Sequence, residues 1–429
     1  MKYTEAVEYI ESLNQYGIVP GLENIRNLCE KLGNPQSDLR FVHIAGTNGK
    51  GSVLAYVSTI LKAAGYKVGR YVSPTIFEYR ERIQINNRPI TQKALCELVE
   101  RIQVICQELV AEGKPHPTPF EVETAMAFWY FKEQGCDIVV LETGMGGRLD
   151  ATNIIENTLV AVLVSVSMDH MQYLGRDLTA IAREKTGIFK QGCHVVTAQQ
   201  EPEVMTVVEK RAKELALTVT VAEPAKAKKI RYGLEKQRFD YEAWKNLEIH
   251  LAGKHQIDNA VLAIEIIKVL TEKGVAVSEK ALRQGLQETK WLGRFSVIGK
   301  KPFFVVDGAH NEDAAKKLAE SIEFYFTNRR IIYIMGILRD KEYEKIIELT
   351  HGYAEQILAV ATPNQARTLS AYELATEVAR LHPNVTAVES LEEAVELAYL
   401  LAGKEDVILA FGSLSFMGKI MNIVEKRKA

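Results

Sequence analysis

The stretch Phe41–Ser52, FVHIAGTNGKGS, indicates both a fold and a kind of ligand. An apolar run leads into the glycine-rich segment Gly46–Ser52, and a second apolar run with helical spacing, VLAYVSTILKAAG, follows it. This order of strand, glycine loop, lysine, hydroxyl and helix is typical of a phosphate site. Glycines let backbone N–H groups approach the phosphates, and the helix N-terminus adds partial positive charge. We expect Lys50 to neutralise phosphate oxygens and Ser52 to serve a magnesium ion.

The loop departs from the usual phosphate-loop pattern G-x-x-x-x-G-K-[ST]. That pattern would place its first glycine at Ile44, and Gly51 stands between Lys50 and Ser52. A glycine-rich turn without a ligand is the alternative. The phosphate site is favoured, because a lysine and a hydroxyl both lie at the start of the helix.

Short apolar runs rich in β-formers alternate with longer helical patterns along most of the chain. This alternation predicts parallel β-α-β units with helices on both faces of a sheet. In the first part of the chain the predicted strands are 41–45, 67–72, 137–142, 159–165 and 194–198. A second series is predicted at 303–307, 331–336, 356–360 and 406–410.

Two segments break this pattern. Residues 217–251 contain shorter, more alternating runs, which predict an antiparallel patch at the edge of the first domain, followed by helices at 256–272 and 278–288. The stretch 293–302 contains two glycines and a proline and indicates a hinge. The sequence therefore predicts an α/β fold with two domains. Residues 1–295 form a phosphate-loop-containing, mostly parallel sheet domain with a small antiparallel patch, and residues 296–429 form a smaller Rossmann-like α/β domain.

Composition excludes several other classes of protein. The 429 residues include 53 Lys+Arg and 55 Asp+Glu, so the chain lacks the basic excess of a typical nucleic-acid binder. No apolar run approaches the roughly 18 residues of a membrane span, and the first residues, MKYTEAVEYIESL, do not resemble a signal peptide. The five cysteines form no C-x-x-C pair, which favours a reducing compartment. We expect a monomeric cytoplasmic protein with no nucleic-acid or membrane partner.

Two further polar positions lie near predicted strand ends, and a third lies in a helical pattern. Glu142 ends a buried strand and begins ETGMGGRLDATN, and a carboxylate there commonly holds Mg²⁺ near a phosphate loop. His170 follows the next strand and could be a metal ligand or an acid/base, but taken alone an ordinary hydrogen-bonding histidine is favoured. Lys185, within TAIAREKTGIFK, would alone indicate only a solvated helix face.

Taken together, the motifs resemble those of the folylpolyglutamate synthase/dihydrofolate synthase group of the Mur-ligase family, which are ATP-dependent amide-bond-forming enzymes. The resemblance spans nearly the whole chain. Its motifs are PGLENIRNLCEKLGNPQ (20–36), AGTNGKGS (45–52), YVSPTIFEYRERIQIN (71–86), FEVETAMAF (120–128), LETGMGGRLDATN (141–153), DHMQYLG (169–175), IAREKTGIFK (181–190), HQIDNA (255–260), LGRF (292–295) and DGAHN (307–311).

The resemblance implies a role for each matching position. Ser73, Glu142 and His170 match magnesium-binding residues, and the Ser52 hydroxyl is the fourth magnesium candidate. Lys185 matches a lysine that relatives carry as a carbamate. Lys50, His170 and Lys185 are the catalytic candidates. The nucleotide candidates are Gly46, Thr47, Asn48, Gly49, Lys50, Gly51, Ser52, Asn259, Arg294, Asp307 and His310.

The implied reaction uses ATP and Mg²⁺ to add L-glutamate to the terminal carboxylate of a folate through an acyl phosphate, with dihydropteroate as a further acceptor. We expect the two domains to close around this labile intermediate. Thr75 stands where many relatives have a histidine, so folate contacts there are not assigned.

Three alternatives remain at this stage. The first is another Mur-family amide ligase, although only 45 residues precede Gly46, too few for the extra domain of the cell-wall ligases. The second is a phosphate-loop NTPase or kinase with a different substrate. The third is a nucleotide-binding regulatory protein without catalysis, which the joint presence of Lys50, Glu142, His170 and Lys185 disfavours.

Overall fold

The computed structural model describes residues 1–17, 19–363 and 367–428. These residues form two compact units. The first unit comprises Met1–Ser73, Glu78–Ala227 and Asp258–Thr289, and the second comprises Pro74–Phe77, Lys228–Ile257 and Lys290–Ala429. The domain boundary predicted between residues 295 and 296 stays a prediction.

The first unit is built on an eight-stranded sheet with the order β4-β3-β2-β5-β1-β6-β7-β8. Its strands are β1 (Phe41–Ala45), β2 (Val68–Tyr71), β3 (Ile83–Ile85), β4 (Arg88–Pro89), β5 (Ile138–Glu142), β6 (Thr158–Leu163), β7 (His194–Thr197) and β8 (Val219–Val221). The strands from β2 to β8 in this order pair in parallel, and β3 and β4 add an antiparallel edge. The mostly parallel sheet predicted from the sequence is confirmed.

Helices follow most of these strands, as the alternating pattern predicts. They are α1 (Tyr3–Ser12), α2 (Glu23–Lys31), α3 (Lys50–Ala63), α4 (Gln92–Ala111), α5 (Pro119–Glu133), α6 (Met171–Leu174), α7 (Leu178–Thr186), α8 (Pro202–Glu214), α9 (His255–Glu272) and α10 (Glu279–Glu288). The predicted helices at 256–272 and 278–288 correspond to α9 and α10. Ser278 precedes α10 as its N-cap, because its side chain accepts a hydrogen bond from Ala281 N.

The predicted antiparallel patch at 217–251 is partly wrong. Residues 219–221 form β8, which pairs in parallel with β7 at the edge of the eight-stranded sheet. The antiparallel sheet is a separate three-stranded one, β9 (Ala227–Arg231), β10 (Gln237–Tyr241) and β11 (Trp244–Ile249), and most of it belongs to the second unit. The error has a physical reason: an edge strand is only half-covered, so a parallel edge strand alternates in polarity like an antiparallel one.

The second unit contains a six-stranded sheet with the order β12-β13-β17-β14-β15-β16, in which only β12 is antiparallel to its neighbour. Its strands are β12 (Ser296–Lys300), β13 (Phe303–Asp307), β14 (Ile331–Met335), β15 (Gln356–Ala359), β16 (Val385–Ala387) and β17 (Val407–Phe411). Its helices are α11 (Glu312–Tyr325), α12 (Tyr343–Thr350), α13 (Ala371–Ala379), α14 (Leu391–Leu401) and α15 (Met417–Lys428). This is the Rossmann-like arrangement expected. Strand β12 occupies half of the segment predicted as a hinge.

Helix α3, which follows the glycine loop, is an interior helix of the first unit. Every residue from Gly51 to Leu61 is buried. One face packs against α10, where Gly285 leaves no room for a side chain: a Cβ there would lie 2.3 Å from Ile60 Cα and 2.7 Å from Ile60 N. The absence of a side chain at residue 285 therefore sets how closely the two helices approach.

We expect Gly285→Ala to lower the free energy of unfolding by about 2 kcal/mol. Overpacking costs up to about 3 kcal/mol, and the better helix propensity of alanine returns about 1 kcal/mol. Urea or thermal unfolding measures the difference. Gly352→Ala is the matched control, because nothing lies within 4 Å of a Cβ at residue 352. Equal stability of the two variants would contradict the packing argument.

Candidate active site

The glycine loop leaves the carboxyl end of β1 and enters α3 at Lys50. Gly46 and Gly49 have φ values of +147° and +97°, which favour glycine. A Cβ on Gly46 would lie 2.1 Å from Val164 Cγ2, and one on Gly49 would lie 2.8 Å from Asn259 Oδ1. Both backbone conformation and lack of space therefore require glycine at these two positions. The structure also places Asn259 of α9 against the loop.

The segment after β6 fixes the shape of the loop. Thr47 N donates to Ser165 O at 2.7 Å, and Thr47 Oγ1 donates to Ser167 O at 3.0 Å. Ser165 Oγ in turn donates to Asn48 O at 3.0 Å. Because the Thr47 amide is already engaged, Thr47 shapes the loop, and its phosphate contact stays a prediction. The amides of Lys50 and Gly51 lie in the first turn of α3, where N–H groups have no acceptor within the helix.

Two lysines converge on one carbonyl oxygen of this loop. Lys185 Nζ donates to Gly46 O at 2.8 Å, and Lys50 Nζ donates to the same oxygen at 3.2 Å. Lys50 Nζ also lies 3.3 Å from Thr47 O and 4.0 Å from Glu142 Oε1. Lys50 and Lys185, which lie in different sequence motifs, are thus brought together.

Lys185 is the buried member of this pair. Its side chain comes from the last turn of α7, and the residue is only 4% exposed. Burial, and after it repulsion by the Lys50 ammonium, lowers the pKa of Lys185 to about 7, although Asp169 and Asp150 act in the opposite direction. Near neutral pH a large fraction of this side chain is therefore an uncharged, nucleophilic amine.

The proposed magnesium residues lie at the same edge of the sheet. Glu142 is the last residue of β5 and is 5% exposed, and Ser73 follows β2, the strand that pairs with β5. Ser52 is buried in the first turn of α3. A carboxylate with serine hydroxyls fits the oxygen preference of Mg²⁺. Within the described residues no group of three His, Cys, Asp or Glu side chains could hold a metal, and the predicted set contains only two such side chains.

His170 lies on the segment after β6, in the left-handed region with φ of +51°. Its side chain is 37% exposed, and its Nε2 lies 3.9 Å from Asp169 Oδ2. An imidazole is a less usual Mg²⁺ ligand than an oxygen donor. The structure therefore places His170 on the segment next to the glycine loop, and its role as a metal ligand stays a prediction.

Sequence reasoning did not single out Asp150. This buried carboxylate accepts hydrogen bonds from Met145 N at 2.9 Å, Thr152 N at 3.0 Å and Thr152 Oγ1 at 2.6 Å. Burial raises its pKa, against the effect of these hydrogen bonds. Thr152 Oγ1 also lies 2.8 Å from His43 Nε2 on β1. The signal was available, because an Asp two residues before a Thr is typical of an Asx-turn.

The remaining candidates lie in the second unit. Asp307 ends β13, where its carboxylate accepts from Phe295 N at 2.7 Å and Ala309 N at 2.8 Å. Burial raises its pKa, and Arg294 opposes this effect. A Cβ on Gly308 would lie 2.6 Å from Arg294 Nη1, and His310 Nδ1 lies 2.7 Å from Gly308 O. The structure therefore brings Arg294, Asp307 and His310 together around one turn.

The parallel sheet, its glycine loop and the two lysines that contact that loop are typical of a nucleotide-binding α/β enzyme. Comparison with known proteins identifies its family. The Mur ligase middle domain matches residues 44–267, and the Mur ligase glutamate ligase domain matches residues 293–414.

Individual relatives are similar to this protein in sequence and structure along almost the whole chain. The dihydrofolate synthase/folylpolyglutamate synthase of Bacillus subtilis is 34% identical, over 97% of this chain and 98% of its own. A structure of folylpolyglutamate synthase from Thermotoga maritima has a TM-score of 0.85 at 35% identity, covering 99% of this chain and 97% of that one. The Mycobacterium tuberculosis folylpolyglutamate synthase complexed with ADP and AMPPCP has a TM-score of 0.89 at 29% identity, covering 99% of each.

The chain belongs to the folylpolyglutamate synthase/dihydrofolate synthase family of Mur ligases. It is an ATP-dependent ligase, as the motifs indicated. Among the described helices, none has the length and apolar character needed to cross a membrane.

Proposed function

We propose that this chain joins L-glutamate to the terminal carboxylate of a folate at the expense of ATP, and that it also converts dihydropteroate to dihydrofolate by the same chemistry. The observation that carries the proposal is the convergence of Lys50 and Lys185 on Gly46 O, with Glu142 Oε1 4.0 Å from Lys50 Nζ. This places two lysine side chains and a carboxylate at the glycine loop, with Lys50 as the cation and Lys185 as the side chain of lowered pKa.

The reaction needs an activated acid, because a carboxylate is a poor electrophile in water. The acceptor carboxylate takes the terminal phosphoryl group of ATP and becomes an acyl phosphate. The amino group of glutamate then attacks the acyl carbon, phosphate leaves, and the amine loses a proton. In this scheme Lys50 and the first-turn amides of α3 hold the phosphates and balance the charge that develops on them.

Ser52, Ser73, Glu142 and His170 would hold magnesium at the same edge of the sheet. The ion would supply positive charge to the phosphate oxygens. Arg294, Asp307, His310 and Asn259 are assigned to nucleotide contacts because they match the family motifs, and the glycine loop touches Asn259.

We further propose that Lys185 works as a carbamate. The neutral amine nitrogen adds to the carbon of CO₂ and releases one proton, so that a cationic side chain becomes an anion. The lowered pKa of about 7 supports this, because only the neutral amine reacts. An anion at this position would attract Lys50 and a cation, whereas the unmodified ammonium repels both.

The partners and compartment complete the proposal. Folate or dihydropteroate and L-glutamate are the small-molecule partners, and the monomeric state, the absence of nucleic-acid and membrane partners and the cytoplasmic location stay predictions. All five cysteines are free, which is compatible with a reducing compartment.

A direct assay tests the function. The protein is incubated with Mg-ATP and labelled glutamate, with tetrahydrofolate in one reaction and dihydropteroate in another, and the products are weighed by mass spectrometry. We expect each acceptor to gain glutamyl residues, with one ADP and one phosphate formed per amide bond. ADP release that ignores both glutamate and acceptor would instead favour a simple NTPase.

A further inference from the structure

The loop that follows the strand carrying Glu142 contacts the helix that carries Lys185. We call residues 143–153 the 143–153 loop; it begins directly after β5 and ends in the 3₁₀ turn Ala151–Ile154. The proposed function gives no role to this segment. Its contacts show where it is held.

The middle of the loop lies against the last turn of α7. Arg148 N donates to Glu184 O at 2.7 Å, and Arg148 Nη2 lies 2.8 Å from Glu184 Oε1. Gly147 makes this approach possible, because a Cβ there would lie 2.8 Å from both Glu184 O and Lys185 O. The backbone on either side of Lys185 Cα is therefore in direct contact with the loop.

Asn153 ties the two sides of this contact together. Its Nδ2 donates to Arg148 O at 3.0 Å, within the loop, and to Gly187 O at 3.1 Å, just after α7. The residue is 4% exposed, and its Oδ1 is buried without a hydrogen-bond partner among the described residues. Lys190 Nζ donates to its backbone oxygen at 2.9 Å. The NH₂ group of asparagine can donate to two carbonyl oxygens at once, which neither a single hydroxyl nor a carboxylate can do.

We propose that Asn153 is a positioning residue for the ligation: by bridging Arg148 O and Gly187 O, it holds the end of α7 so that Lys185 Nζ reaches Gly46 O. This inference rests on the proposed function and adds to it a residue that acts through Lys185. Lys185 is anchored on α7 at one end and contacts the glycine loop at the other. A shift of the helix end would therefore move its amine away from the loop.

The test compares Asn153→Asp with the matched control Asn157→Asp. Aspartate keeps the shape of asparagine but presents oxygen to the two carbonyls. Asn157 is an exposed asparagine whose Nδ2 donates to Ser37 O at 2.6 Å. We expect kcat for ligation to fall by about 10²-fold in Asn153→Asp, the typical cost of a displacement near 1 Å at a reacting site. KM for ATP should stay at the wild-type value, since no residue of the glycine loop is replaced and Lys50 keeps its place in it.

A spectroscopic readout separates positioning from general destabilisation. With ¹³C-labelled bicarbonate, the wild type should show a carbamate resonance that Lys185→Met removes and that folded Asn153→Asp shows at reduced intensity. Asn157→Asp should retain full intensity. If Asn153→Asp does not fold, Asn153→Ser and Gly147→Ala replace it. A serine hydroxyl cannot donate to both carbonyls, and an alanine Cβ at residue 147 would lie 2.8 Å from Glu184 O and Lys185 O, so both variants disturb the same contact without adding charge.

The outcomes distinguish this inference from the proposed function. A wild-type protein that ligates no glutamate would overturn the function itself. A wild type that ligates, together with a folded Asn153 variant that retains the wild-type kcat, would overturn the positioning role alone. A lowered kcat with unchanged KM for ATP, in the Asn153 variants or in Gly147→Ala, supports it.

Discussion

Replacing Lys50 by alanine should lower kcat for glutamate ligation by about 10²- to 10³-fold, the usual cost of removing one preorganised donor that stabilises developing charge. Lys50 Nζ lies on the glycine loop and 4.0 Å from Glu142 Oε1. Phosphoryl transfer to the acceptor carboxylate spreads negative charge over oxygens at this loop, and Lys50 is the cation at the start of α3. ADP formation with tetrahydrofolate and with dihydropteroate, each measured at saturating ATP, checks the expectation.

Lys62→Ala is the control for this experiment. Lys62 lies near the end of the same helix and is exposed, so its removal changes the net charge equally without touching the loop. The control should ligate at the wild-type rate. Should Lys50→Ala also do so with both acceptors, the assignment of the phosphate site to this loop would be wrong.

The second large effect concerns Lys185 and carbon dioxide. Enzyme depleted of CO₂ should lose most of its ligase activity and regain it on addition of bicarbonate, because the carbamate forms from the Lys185 amine and CO₂. Lys185→Met should be lower in kcat by about 10²-fold or more and should not respond to bicarbonate. Lys93→Met, a change at a lysine whose side chain is 87% exposed, is the matched control and should behave as wild type.

The pH dependence of this reactivation has a definite sign. Because the pKa of Lys185 is lowered to about 7, its neutral fraction rises from about one tenth at pH 6 to about nine tenths at pH 8. At constant dissolved CO₂ the rate of reactivation should therefore rise through this range. A rate that falls with pH, or Lys185→Met enzyme that regains activity with bicarbonate, would contradict carbamate formation at Lys185.

Local sequence was sufficient for much of this fold. The loop between β1 and α3 combines glycines, a lysine and a helix start within a few residues. Such a short-range pattern can be recognised from the sequence without knowledge of the tertiary structure. Strand β8 was misjudged because only its position at the sheet edge, next to β7, shows that it is parallel. The short strands β3, β4 and β16 were missed because two or three residues carry too little periodicity.

The site was less accessible to sequence reasoning than the fold. Lys185 has the local pattern of a surface helix residue, and only the resemblance to relatives singled it out. Its burial and its contact with Gly46 O arise from packing between segments 139 residues apart. The engaged amide of Thr47 likewise depends on Ser165, which lies on a different strand segment. Asn153 stands in one of the family motifs, but no role could be assigned to it there, because its hydrogen bonds are made to backbone oxygens of Arg148 and Gly187.

The contact between α3 and α10 carries a consequence for genetics. A side chain at residue 285 would collide with main-chain atoms of Ile60, and the main chain is identical whatever amino acid occupies that position. No compensating replacement at residue 60 could therefore create space, so intragenic suppressors of a residue 285 lesion should map to positions that let one helix axis shift. Residue 285 is therefore restricted to glycine by backbone atoms of Ile60, which no substitution at residue 60 can change.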